Sequence, residues 1–217
     1  MFGPEALEAL AQDYRIRNPI AMVRVIASDL TDPESIQQIV HETVADPEHP
    51  LDVALIAHGA MLGGDQLRLG VDTVAENLRV NAISPVLFAQ LYAQRFLGQG
   101  GGIVAIIGSV AGDRGRRTNY VYGAGKGLIE RFVQGLQHRL ADTPVRVVLL
   151  KPGPTATAMT ADRQAEGEKL VPAEQVAAGL VRAVDRRTPV AYLPGRWRIL
   201  MLVVRLIPRV LFHRTNF

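Results

Sequence analysis

Apolar positions along the chain follow two alternating rhythms. Five short runs, at 20–27, 51–57, 103–108, 145–151 and 189–193, are nearly continuous in apolar residues. Strands buried on both faces of a parallel sheet have this pattern. Between them, stretches near 33–45, 71–97, 120–141 and 172–186 carry apolar residues at helical spacing. The helix near 33 has a start signal, with Thr31 and Glu34 at capping-box spacing and Pro33 in the first turn. Regular alternation of strand and helix predicts an open, doubly wound α/β sheet with right-handed crossovers. No repeat, low-complexity tract or linker divides the chain, so 1–195 reads as one domain and 196–217 as its C-terminal tail.

Composition narrows the picture. A chain of 217 residues, 48% hydrophobic and 21% charged, suits one globular domain with a sizeable core. The absence of cysteine excludes disulfides and thiolate zinc sites and points to the cytoplasm. His41, His49, His58, His138 and His213 are scattered with no pair at ligand spacing, so no metal site is expected. Glu5, Glu8 and Asp13 occupy the place where a signal peptide needs a basic and then an apolar segment.

Charge matters chiefly at the end of the chain. The net charge is only +3, yet Arg196, Arg198, Arg205, Arg209 and Arg214 crowd the tail among Trp197, Leu200, Leu202, Val203, Leu206, Ile207, Leu211 and Phe212. Arginines and Pro208 interrupt the apolar run well short of the ~20 residues a spanning helix needs. Such a tail suits a membrane surface or an oligomer interface. Nucleic acid is not expected, because these arginines lie in an apolar segment rather than on a polar stripe with exposed aromatics.

Four features fall at strand ends or in the helices that follow, where open α/β sheets place ligands. Ser109 follows the run 103–108. Tyr122 and Lys126, four apart, share one helical face. Asn81 sits midway through the stretch 71–97, and Pro152, Gly153 and Thr157 follow the run 145–151. Carbonyl reduction by hydride needs a proton donor at the carbonyl oxygen and a cofactor held at a fixed distance. A tyrosine, with an ordinary pKa of about 10, is made serviceable by a nearby ammonium that favours its phenolate. A serine hydroxyl can polarise the same oxygen. Each piece alone has a plainer reading: a solvated lysine, a loop serine, a buried asparagine, a turn. The stretch Gly-Ala-Gly-Lys-Gly at 123–127 lacks the spacing of a phosphate loop. His58, alone after an apolar run, reads as structural.

As an ordered set, Asn81, Ser109, Tyr122 and Lys126 resemble the catalytic tetrad of the short-chain dehydrogenase/reductases, over about residues 5–195. The resemblance implies a Rossmann-like fold, NAD or NADP as cofactor, and a small-molecule carbonyl or alcohol as substrate. It makes Tyr122 the general acid/base and Ser109 the group that positions the carbonyl. Lys126 would hold the nicotinamide ribose and lower the tyrosine pKa, and Asn81 would hold a relay water. Asp29 matches the acidic residue beside the adenine. Of Ile-Ala-His-Gly at 56–59, where the family has Asn-Asn-Ala-Gly, Gly59 carries over. Pro152, Gly153 and Thr157 match the segment contacting the nicotinamide. The helices 71–97 and 120–141 correspond to those that pair subunits, which implies a homo-oligomer. The segment from Ser109 to Arg116 and the tail are similar to a bacterial branch that includes decaprenylphosphoryl 2-keto-pentose reductase. A lipid-linked sugar substrate would give the tail a place at the membrane face; equally, the tail could close the substrate pocket or pack between subunits.

The family's first strand–helix–strand unit, with the glycine-rich turn that cradles the pyrophosphate, has no counterpart here. The preference between NAD and NADP is therefore unreadable. The run 20–27 is expected to lack neighbours, and 51–57 to form an unpaired edge. A fragment of a normal reductase, a non-catalytic relative serving as an oligomerisation or interaction module, and a site completed by a partner chain all accommodate this pattern.

Overall fold

The computed structural model describes residues 3–44, 49–61 and 65–215. Helices α1 (Pro4–Arg17) and α2 (Pro33–Thr43) precede strand β1 (Val53–Ile56). Helix α3 (Val71–Leu78), a π turn (Arg79–Ile83) and α4 (Ser84–Gln99) lead into β2 (Gly102–Ile107). Helix α5 (Tyr120–Arg139) and β3 (Val145–Pro152) follow. A small pair, β4 (Thr155–Ala156) and β5 (Val171–Pro172), encloses α6 (Ala161–Ala165). Then come α7 (Ala173–Asp185), β6 (Val190–Leu193), α8 (Arg196–Leu206) and α9 (Arg209–Phe212).

The four longer strands form a parallel sheet in the order β1-β2-β3-β6, with Val104 opposite Val147 and Leu150 opposite Ala191. Period-two alternation divides their side chains between two cores. Val104, Ile106, Val147 and Leu149 pack with Ile36 of α2, Phe88 and Phe96 of α4, and Ile129 and Val133 of α5. On the other face Ala105, Val148 and Leu150 meet Ala183 and Val184 of α7. Burying each large side chain in this way contributes about 1.5–3 kcal/mol. The sheet is thus wound on both faces, as the apolar pattern predicts.

Three local expectations change. The run 20–27 forms no strand; Ile20 is 99% and Met22 87% exposed. No strand of the sheet lies beside it to pair with its backbone, and β1 is the sheet edge, with Val53 and Leu55 partly exposed. The N-cap of α2 is Asp32, whose carboxylate accepts the Ser35 N–H at 2.8 Å. Thr31 lies one residue before the cap, where its N–H and hydroxyl both donate to the Asp29 carboxylate at 2.8 Å. Residue 45, the end of the predicted second helix, lies outside the described residues. The stretch 71–97 is not one continuous α-helix, since the π turn interrupts it at Asn81. Pro85 has no N–H for the Asn81 carbonyl four residues back, and its ring crowds that carbonyl. A wider turn relieves the crowding.

His58, just beyond β1, stitches three segments together. Its Nε2 is 2.7 Å from the Ser84 hydroxyl, which donates to the Leu30 carbonyl, and its ring meets Phe88 edge-on at 5.6 Å. Burial first, and the Lys126 charge second, lower its pKa to about 4. The folded state therefore binds fewer protons than the unfolded state between about pH 4 and the ordinary histidine value. Stability from this site is complete above about pH 6.5 and is lost as pH falls toward 4.

A second stitch is fully charged. Lys151, 1% exposed at the end of β3, places its ammonium 2.7 Å from Asp113 and 2.8 Å from Glu130 of α5. The Tyr192 hydroxyl of β6 donates to the same Asp113 oxygen at 3.0 Å. Burial opposes the ammonium, but the two carboxylates outweigh it and hold the Lys151 pKa above its ordinary value.

Two outcomes are expected. His58→Gln, which cannot protonate, should flatten the acid decline in stability between about pH 6.5 and 4; parallel melting profiles of the two proteins would contradict the assignment. Lys151→Met should lower the unfolding free energy by about 3 kcal/mol or more, because it strands two carboxylates. Urea denaturation measures this, and a loss below about 1 kcal/mol would show the ammonium to be dispensable.

Candidate active site

Ser109 leaves the end of β2 and caps a short turn, Val110–Gly112, where its Oγ accepts the Ala111 N–H at 3.1 Å. That bond occupies a lone pair and leaves the hydroxyl proton available to another acceptor. Tyr122 and Lys126 lie in the first turns of α5. This turn and the helix meet backbone to backbone. A Cβ at Gly112 would stand 2.8 Å from the Lys126 carbonyl, and one at Gly123 would stand 3.0 Å from the Ala111 oxygen. Gly125 faces Asn81, whose Cβ would be 3.4 Å from an added Cβ. Glycine costs a helix roughly 1 kcal/mol per position; at Gly112 and Gly123 it permits the close approach of the two backbones, whereas Gly125 has room for an ordinary contact.

Ser109, Tyr122 and Lys126 consequently line one cavity of about 330 Å³ with Gly59, Pro152, Gly153 and Thr157. Asn81 lies one layer behind. It is fully buried, donating from Nδ2 to the Ala60 carbonyl at 2.7 Å and accepting the Ala60 N–H at 3.0 Å. Asp29 lies away from this group, exposed at the start of the turn into α2. Its neighbours Ser28 and Leu30 line a second cavity of about 430 Å³ that adjoins the first at Ala57, His58 and Gly59. A Cβ at Gly59 would come within 3.0 Å of Asn81 Oδ1 and 3.8 Å of Lys126 Nζ. The backbone there presents a bare surface where the cavities join, which a flat heterocycle and its ribose can approach. These residues fit the nicotinamide end of a dinucleotide. The sequence provides no Gly-x-Gly-x-x-Gly turn for the pyrophosphate.

Burial dominates the electrostatics of Tyr122 and Lys126. Lys126 is 4% exposed; its Nζ donates to the Ile107 carbonyl at 3.0 Å and lies 5.7 Å from the Tyr122 ring centre. Burial lowers its pKa to about 8, so the ammonium exchanges protons readily near neutrality. Burial holds the Tyr122 pKa above its ordinary value, only partly offset by hydrogen bonding with Ser109 and by the Arg116 charge, so the lowering by Lys126 that the resemblance implies is not found.

Arg116 is a cavity-wall residue that the sequence did not single out. Half-buried on the cavity wall, it supplies the cationic influence on Tyr122 that the family resemblance assigns to Lys126. Its signal in sequence was only a basic run after Asp113. Trp197 was missed as well: its indole fills the space a Cβ at Gly153 would need, so the tail backs the Pro152-Gly153 segment. Among the described residues, no group of three His, Asp or Glu is placed to hold a metal ion.

Comparison with known proteins gives the family and the fold. Residues 3–168 match the short chain dehydrogenase family. An uncharacterized oxidoreductase of the mprA 5′ region in Streptomyces coelicolor is 32% identical over 199 residues, 89% of this chain and 76% of the relative. The uncharacterized oxidoreductase Rv2073c of Mycobacterium tuberculosis is 32% identical over 170 residues, 77% of this chain and 67% of the relative. Among solved structures, a short-chain dehydrogenase from Sphingobium yanoikuyae in complex with NADPH superposes with a TM-score of 0.80 at 21% identity, covering 96% of this chain and 85% of that one. A short-chain dehydrogenase/reductase from Burkholderia phymatum in complex with NAD gives 0.79 at 20% identity, covering 98% and 84%. With a family match spanning most of its length and relatives 32% identical over most of both chains, the chain belongs to the short-chain dehydrogenase/reductase family of oxidoreductases.

Proposed function

We propose that this protein is an NAD(P)-dependent oxidoreductase that interconverts a carbonyl and a secondary alcohol. The observation that carries the reading is the convergence of Ser109, Tyr122 and Lys126 on one cavity bordered by the bare backbone of Gly59. Tyr122 Oη gives its proton to the carbonyl oxygen, or takes it back in the reverse direction. Ser109 donates a hydrogen bond to the same oxygen, where charge develops. Lys126 replenishes the Tyr122 proton and holds the ribose hydroxyls. Asn81 holds the loop after β1 in place and keeps a relay water beside Lys126.

Gly59, Pro152, Gly153 and Thr157 would hold the nicotinamide end of the cofactor, and Asp29 the adenine end across the second cavity. When bound, that group supplies or accepts the hydride. The complexes of the structural neighbours with NADPH and with NAD support a nicotinamide without choosing between the two. The substrate class favoured by the narrower resemblance is a lipid-linked sugar. Subunits would pair through α4 and α5. A purely interaction-module role has no observation of comparable weight behind it.

The expected results are specific. Tyr122→Phe should lower kcat/KM for carbonyl reduction by about 10²–10⁴, and Ser109→Ala by about 10²–10³. Activity unchanged in Tyr122→Phe would remove the acid/base assignment. Calorimetric titration of the chain with NADH and NADPH should show saturable binding in the micromolar range. A folded protein that binds neither would overturn the oxidoreductase reading for this chain.

A further inference from the structure

The tail carries two apolar stripes on opposite sides of one helix. At 100° per residue, Trp197, Met201 and Val204 of α8 point inward, where Met201 and Val204 form a core with Val110 and Phe212. Ile199, Leu202, Val203 and Leu206 recur at i, i+3, i+4 and i+7 on the opposite side. They are 71%, 57%, 54% and 74% exposed. Val210 and Leu211 extend this surface into α9, at 68% and 55% exposure. A second, contiguous apolar stripe facing solvent contributes nothing to the core and marks an interaction surface.

The face is held in a fixed pose. Arg114 donates to the Val204 carbonyl and, at 2.6 Å, to the Ile207 carbonyl, satisfying the end of α8, while its guanidinium lies 3.9 Å from the Phe212 ring centre. Charge identifies the partner. Arg198 and Arg205 flank one side of the outward stripe and Arg196 the other, with Arg209 and Arg214 beyond, and all five are exposed. No acidic residue follows Asp185, and without the arginines after that point the chain would be net acidic. Pairing of two copies through this face would be self-complementary and would set arginines against arginines. An apolar layer bordered by negative charge has no such conflict.

We propose that the outward face of α8–α9 docks on an anionic lipid surface, with the apolar stripe at the acyl boundary and the arginines among the headgroups. The helix lies on the surface and does not cross it; none of the described helices is long and apolar enough to span a membrane. The groove beside Phe212 and His213 shares Arg116 with the catalytic cavity, so docking sets the cavity's flank near the bilayer.

The test is co-sedimentation of the whole chain with vesicles of phosphatidylcholine alone or mixed with phosphatidylglycerol, a readout that requires neither cofactor nor turnover. Binding is expected on the mixed vesicles, weak on phosphatidylcholine, and diminished when salt is raised from about 0.05 to about 0.5 M. Arg198→Glu/Arg205→Glu should weaken binding at least about tenfold. Ile199→Ser/Leu206→Ser should do the same, whereas Arg182→Glu/Arg186→Glu on α7 should bind as the parent does. All these side chains are exposed, and melting profiles verify folding. Failure of the folded parent to bind anionic vesicles overturns the proposal, as does parent-like binding by the Arg198/Arg205 variant. So does a dimer that forms without lipid and dissociates in the Ile199/Leu206 variant.

Discussion

One ammonium, that of Lys151, is clamped between Asp113 and Glu130 with almost no access to water. Those partners belong to the loop after β2 and to α5, and Tyr192 brings in β6. Removing charges from water is costly, and the cost is met only while every member stays in place. The cluster thereby fixes the relative position of the loop that carries Ser109, the helix that carries Tyr122 and Lys126, and the strand that ends in Pro152. A hydrophobic contact would tolerate sliding along the helix; a buried ion triplet does not.

The glycines act on the same geometry at shorter range. With Gly112 and Gly123 pressed against the opposing backbone, the distance from the end of β2 to α5 is set by main chain rather than by flexible side chains. Ser109 and Tyr122 are then aligned by the frame itself. The Lys126 ammonium is also fixed, because its Nζ is tied to the Ile107 carbonyl of the strand next to it.

Much of this was legible in sequence where the information is local. Four of the five apolar runs form the four strands of the main sheet, and the residues Ser109, Tyr122 and Lys126 that the sequence singled out line one cavity. The run 20–27 misled because apolar content signals burial, while a strand also needs a neighbour to share its hydrogen bonds. Thr31 misled by one residue: with Pro33 opening the helix, Asp32 stands at the cap and accepts the Ser35 N–H. The break at Asn81 could have been read from Pro85, since the missing N–H lies four residues beyond that carbonyl. Lys151 and Arg116 could not be read at all, and Trp197 only as part of a tail that could close the substrate pocket. Their roles depend on residues distant in sequence, and nothing in a lysine's neighbours along the chain says that it will be buried between two acids.

Trp197 gives the end of the chain an unexpected rank. Because its indole occupies the space beside Gly153, helix α8 backs the Pro152-Gly153 segment that lines the cavity. Shortening the protein there is therefore not a trimming of a loose end but the opening of a hole behind that cavity. A fusion partner joined close to α8 would likewise be felt inside it, so the natural place for a purification handle is the opposite terminus.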